Sequence, residues 1–138
     1  MSTQSTTSIR SIVPIVTTKL MRETRAFYVD LLGMSVSYDH EHYLGVRAGA
    51  EGSPELGFML PDPDAQDVFN GKGITYAFRV DDADKEHARL KRAGATILRE
   101  PKDEPWGARA FILRDPNGVT LYLSHPIPAA LEFQSSAK

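Results

Sequence analysis

The 138-residue sequence predicts an α+β fold, because one element order occurs in it twice. Each half reads as a strand, an amphipathic helix and three further strands, and 61–73, rich in Pro, Gly and Asp, joins them. Half a fold of this kind leaves one sheet face uncovered, so the two βαβββ modules are expected to pack together as a curved mixed sheet around a cup, helices outside. The expected domain spans 9–128, with module 1 over about 10–62, module 2 over about 73–126, and flexible tails at 1–8 and 129–138.

Each element has a local cause. Ile12, Val13, Pro14, Ile15 and Val16 form a short β-branched run. Thr17 or Thr18 can cap the helix that follows, whose inward stripe of Leu20, Met21, Thr24, Phe27, Tyr28, Leu31 and Leu32 recurs mostly at steps of three and four. Gly33 stands where a left-handed helix end is needed. Strands are expected at 34–38, 43–47 and 56–60. In the second half, 74–80 reads as a strand, and Asp81 or Asp82 caps a helix that Gly94 closes. Strands at about 96–100, 109–113 and 120–124 follow, the last two joined by the turn Asp115-Pro116-Asn117-Gly118.

Composition narrows the function. Hydrophobic residues make up 41% and charged residues 25%, an ordinary globular balance. There is no cysteine, which removes disulfides, thiolate metal sites and a thiol nucleophile. A net charge of -2 argues against a nucleic-acid partner. No run approaches the roughly 20 apolar residues of a membrane span, and the polar start lacks the pattern of a signal peptide, so a cytoplasmic location is expected.

Ala26-Phe27-Tyr28-Val29-Asp30-Leu31-Leu32-Gly33-Met34 resembles the first helix of the glyoxalase/bleomycin resistance protein/dioxygenase (vicinal oxygen chelate) superfamily. Pro105-Trp106-Gly107 followed by Leu113-Arg114-Asp115-Pro116-Asn117-Gly118 resembles the last hairpin of its bleomycin-resistance branch. The resemblance implies a divalent metal in the cup of the family's enzymes, held by His, Gln or Glu from four strands. The matching positions here are Val13, Thr75, Tyr122 and either Glu55 or Gly57. A divalent ion needs about three oxygen or imidazole donors from the protein, so no metal and no other cofactor is expected. His40 and His42 share a strand face as a ligand pair could, and also read as a solvated hairpin tip. His87 reads as packing and His125 as surface.

Strand alternation places Thr75, Ala77 and Arg79, Thr120, Tyr122 and Ser124, and Glu55, Gly57 and Met59 toward the cup. Trp106, Tyr122, Thr75, Arg79, Glu55 and Met59 are therefore the candidate ligand-binding residues. Each has an ordinary alternative: core filling for Tyr122, a solvent or surface-carboxylate partner for Arg79, a barrel-end cap for Trp106, packing for Met59. By resemblance, the expected protein is a metal-free homodimer that sequesters a small, partly aromatic ligand in a cup or interface groove. A trap for a strongly cationic antibiotic would be more acidic than this chain. The alternative is an enzyme of the superfamily (a lyase, isomerase or dioxygenase-like activity) with a non-standard site, Glu55 or Tyr122 as acid/base and Arg79 as anion clamp. A subunit that mainly dimerises or regulates is a third class.

Overall fold

A computed structural model of the chain describes residues 7–49, 52–64 and 69–136. Strands β1 (Ile15–Thr17), β2 (Ser35–His40), β3 (Tyr43–Arg47) and β4 (Glu55–Met59) form one sheet in the order β1-β4-β3-β2. Strands β5 (Thr75–Arg79), β6 (Thr96–Glu104), β7 (Ala108–Arg114) and β8 (Thr120–Pro126) form a second in the order β5-β8-β7-β6. The orders are equivalent, and in each sheet the first strand lies parallel to the last. The fold is thus α+β with the expected duplication. Its strands make two open sheets and not a closed barrel.

The helix of the first module begins as α1 (Met21–Arg25) and widens into a π turn over Ala26–Leu31. There the Leu32 amide reaches back five residues to the Phe27 carbonyl at 2.9 Å. The turn buries Phe27 and Tyr28 side by side, and Tyr28 packs on Phe58 with ring centres 4.8 Å apart. Helix α2 (Ala83–Arg92) of the second module starts at Asp82, whose side chain accepts the Lys85 amide at 3.1 Å. This cap should be worth about 1 kcal/mol. Asp82→Ala is expected to lower the thermal midpoint by several degrees without changing the far-ultraviolet spectrum, which calorimetry and circular dichroism would check.

Alternate residues of each sheet bury one face under the helices. Val16, Leu44, Val46 and Phe58 do so in the first sheet, and Phe111, Leu113, Leu121 and Leu123 in the second; all join one hydrophobic cluster with Phe27, Tyr28 and Leu90. A buried polar knot ties the halves. Tyr28 Oη donates to Asp115 Oδ2 at 2.6 Å, Thr18 Oγ1 to Asn117 Oδ1 at 2.5 Å, and Asn117 Nδ2 to Thr24 Oγ1 at 3.0 Å. The 115–118 turn is a hairpin as expected, with Gly118 at φ +87°, and it also serves as the joint between modules. Gly71, at φ +82°, lies so close to Gly118 that a β-carbon would fall on its backbone.

Several expectations shift. The first strand starts at Ile15 and not at Ile12, although the Pro14 carbonyl still accepts the Gly57 amide at 2.8 Å. β6 runs on to Glu104, with register shifts between Ile97 and Arg99 and between Arg99 and Lys102. His125 is not merely a surface residue. Its Nδ1 accepts the Ala83 amide at 2.8 Å, serving one of the donors at the start of α2 that no helical carbonyl can reach. The expected linker and tails fall partly on residues 1–6, 65–68 and 137–138, which lie outside the described residues. Within 129–136, Leu131–Phe133 forms a single 3-10 turn that sets the Phe133 ring edge-on to Trp106, centres 6.3 Å apart.

Candidate functional site

The sheet faces turned away from the helices are where ligand-binding side chains can stand free. In the second sheet, cross-strand register puts Arg99, Ile112, Tyr122 and Ala77 in one row, and Lys102, Ala110, Ser124 and Arg79 in the next. Trp106, in the turn between β6 and β7, folds back over this face, and its Nε1 donates to the Tyr122 hydroxyl at 3.0 Å. Trp106 is 51% exposed. With one edge held by Tyr122 and the ring braced by Phe133, it presents a flat surface in a fixed orientation.

The same face holds an ion pair that strand periodicity alone did not reveal. Glu104, 5% exposed, lies 2.8 Å from Arg99 Nη2 and 3.9 Å from Lys102 Nζ. Arg99 Nη2 also donates to the Ala110 carbonyl at 3.0 Å. The bulges of β6 bring these three onto one face, so simple alternation along 96–104 fails to place them.

The six predicted site residues fall in three places. Trp106 and Tyr122 come together. Thr75, Arg79 and Glu55 border a cleft of about 690 Å³ between the free edge of β5 and the first module, and Arg79 also stands one row from Tyr122 on the same sheet face. Its walls are mainly apolar, among them Leu32, Met34, Leu56, Tyr76 and Phe78. Burial, reinforced by the negative charge of Asp115, pushes the Tyr76 hydroxyl above its usual range, so it stays protonated. Glu55 makes no ion pair with Arg79. Glu55 lies 3.5 Å from Arg47, its cross-strand neighbour, because β3 and β4 are adjacent whereas β5 belongs to the other sheet. Met59 stands apart from both places, beside Tyr43 on the first sheet.

The metal-ligand positions of the family do not suit an ion here. Val13 has no donor, the Tyr122 hydroxyl is bonded to Trp106, and Glu55 sits by Arg47. Gly57 is roofed by the Tyr43 hydroxyl, which burial and the nearby Glu55 charge push upward in pKa. His40 and His42 occupy the β2–β3 hairpin tip, with ring centres 5.5 Å apart. His87 packs edge-on against Phe111 and reaches Glu100. Among the described residues no three His, Asp or Glu side chains gather as a metal would need, and no helix is long and apolar enough to cross a membrane.

Comparison with known proteins agrees with this architecture. Residues 9–123 match the family model described as the Glyoxalase/Bleomycin resistance protein/Dioxygenase superfamily. The candidate glyoxylase CFP32 of Mycobacterium tuberculosis, and its counterpart in Mycobacterium bovis, are 31% identical over 107 residues. That match takes in 75% of this chain but only 39% of theirs. Among solved structures, TnmS3, an antibiotic binding protein from Streptomyces sp. CB03234, is 25% identical with a TM-score of 0.69, covering 88% of this chain and 99% of that one. A glyoxalase/bleomycin resistance protein from the same Streptomyces strain is 26% identical with a TM-score of 0.63, covering 83% and 99%. The chain belongs to the glyoxalase/bleomycin resistance protein/dioxygenase superfamily.

Proposed function

We propose that this protein binds and sequesters a small, partly aromatic molecule without using a metal, and that Trp106 and Tyr122 form the platform on which the ligand stacks. The observation that carries the reading is the half-exposed indole, held at one edge by the Tyr122 hydroxyl and braced by Phe133. An aromatic surface already fixed in place binds a planar ligand with little further loss of side-chain freedom. The likeness to an antibiotic binding protein supports a role in binding over one in turnover. So does the poor donor set at the family's metal positions.

Trp106→Ala removes the platform. Ligands found by thermal-shift screening of the wild-type protein are expected to bind the variant about ten- to a hundredfold more weakly, with the unliganded midpoint nearly unchanged. Because Trp106 is the sole tryptophan, its fluorescence reports occupancy directly. A variant that melts many degrees lower, or one that keeps full affinity, would refute the reading.

The binding form in this proposal is a homodimer. Both β1 and β5 keep a free edge, and Ile9, Ile12 and Ile15 stand more than half exposed or nearly so, at 71%, 78% and 50%. Association would cover both features. Size-exclusion chromatography with light scattering should give twice the 15.3 kDa chain mass, and a monomer at tens of micromolar would contradict it.

A further inference from the structure

The platform face is charged differently from the chain around it. Cross-strand register sets Arg79, Arg99, Lys102 and Arg114 on the same face of the second sheet as Tyr122, with Glu104 as the one acidic residue among the described positions of that face. The chain as a whole carries -2. Glu104 is committed to Arg99. Among the described residues neither Arg79 nor Arg114 has a carboxylate partner, whereas Arg109, on the opposite face of β7, is clamped by both Asp84 and Asp103.

The register also fixes where these two arginines stand. Tyr122 lies opposite Ala77 on β5 and Ile112 on β7. Arg79 and Arg114 are each two residues further along those strands, in opposite directions. Each is therefore a diagonal neighbour of Tyr122, roughly 7–8 Å away at the backbone and within reach of a long side chain. The small residues Ala77 and Ser124 separate Arg79 from Tyr122, whereas Ile112 and Thr120 stand between Tyr122 and Arg114. Trp106 precedes Ala108, which pairs with Pro126, so the indole reaches Tyr122 from the Ser124 end, beside Arg79, whereas Arg114, paired with Thr120, lies on the far side of Tyr122. An aromatic surface with one guanidinium beside it and a second beyond Tyr122 is suited to a flat ligand with negative charge at its rim, which guanidinium can hold through two parallel hydrogen bonds.

We infer that the ligand of this face is an aromatic anion: its ring stacks on Trp106, and its carboxylate, or a comparable oxyanion, is held by Arg79 or Arg114. The inference rests on the reading of Trp106 and Tyr122 as the platform, and deepens it by naming the ligand class. It also separates this chain from traps for cationic molecules.

The test uses three probes of one shape on the full chain: naphthoate, naphthamide and naphthylmethylammonium, titrated by calorimetry at low ionic strength. Naphthoate is expected to bind about three- to tenfold tighter than naphthamide, as two exposed guanidinium contacts allow, with the ammonium weakest. In an R79Q/R114Q double variant the preference for naphthoate over naphthamide should fall to near unity. Both substituted side chains are exposed, so the melting curve should not move. Added salt should erase the preference in the wild type as well. Equal affinity for naphthoate and naphthamide would overturn the anion inference and leave the aromatic platform standing. A preference that survives in the double variant would overturn the assignment to Arg79 and Arg114. No binding of any probe at millimolar concentration would overturn the platform and the inference together.

Discussion

Asp115→Ala is expected to remove about 3–5 kcal/mol of stability, a large part of the total for a domain of this size. The carboxylate is 4% exposed and serves three donors. Oδ2 accepts the Tyr28 hydroxyl, and Oδ1 accepts the amides of Asn117 and Val119 at 2.8 and 2.7 Å. Alanine leaves all of them without a partner in a dry interior, at about 1–3 kcal/mol for each group not rescued by water. Tyr28→Phe removes one donor and leaves one oxygen bare, so it should cost less. The double variant should cost less than the sum of the two, because the bond is shared. Urea unfolding of the four proteins measures this, and additive losses would show that the two residues act separately.

The same site predicts a pH dependence. Burial, partly offset by the hydrogen bonds from Tyr28 and the turn amides, holds the Asp115 carboxyl above the usual carboxylate range. The folded chain then binds this proton more tightly than the unfolded chain does. The contribution of the group to stability is therefore fully present below its unfolded value and declines as pH rises through the raised one. In Asp115→Asn that component of the slope disappears. Parallel stability curves for wild type and variant across the mildly acidic range would contradict it.

Gly71→Ala is the second large effect, at about 3 kcal/mol or more. Two causes act at once. The backbone is left-handed, a conformation that costs an ordinary residue about 1–2 kcal/mol. The added carbon would also fall on the Gly118 backbone, which cannot move without opening the 115–118 turn. Gly73 separates the causes, since it too is left-handed, at φ +81°, but no atom of the described residues lies within 4 Å of where its β-carbon would be. Gly73→Ala should cost only the conformational part. Similar losses in denaturant for both variants would mean that the contact with Gly118 adds nothing.

What could be read from the sequence was what depends on near neighbours. Strand β3 lies where its alternation puts it, over Tyr43–Arg47, and Asp82 caps α2 with its own side chain. Gly33 and Gly94 take the left-handed conformation expected at helix ends. The duplicated element order was visible because each copy repeats these local signals. Features that depend on distant partners were not visible. Nothing near His125 shows that its ring would face the start of a helix forty-two residues earlier. Asn117 reads equally well as an ordinary turn residue, although it joins Thr18 and Thr24. The cup-facing positions followed from alternation, but alternation does not say which sheet lies beside which. Alternation therefore turns Glu55 and Arg79 toward one cup without showing that Arg47 is the neighbour of Glu55. Alternation and the family's ligand position pointed to Tyr122 and the Pro105-Trp106-Gly107 loop to Trp106, but the bond between them needed the hairpin between β6 and β7.

The polar knot between the modules also bears on the order of folding. Its three side-chain bonds join residues 87, 93 and 99 positions apart, whereas β2–β3 and β7–β8 pair across short turns. Bonds of such long sequence separation form only after most of the chain's entropy has been given up, so the hairpins should assemble first and the knot close last. Substitutions at Thr18, Thr24, Asn117 and Asp115 would then act mainly by hastening unfolding, with little change in the folding rate. The joint that makes one body of two halves would set how long the protein stays folded more than how fast it folds.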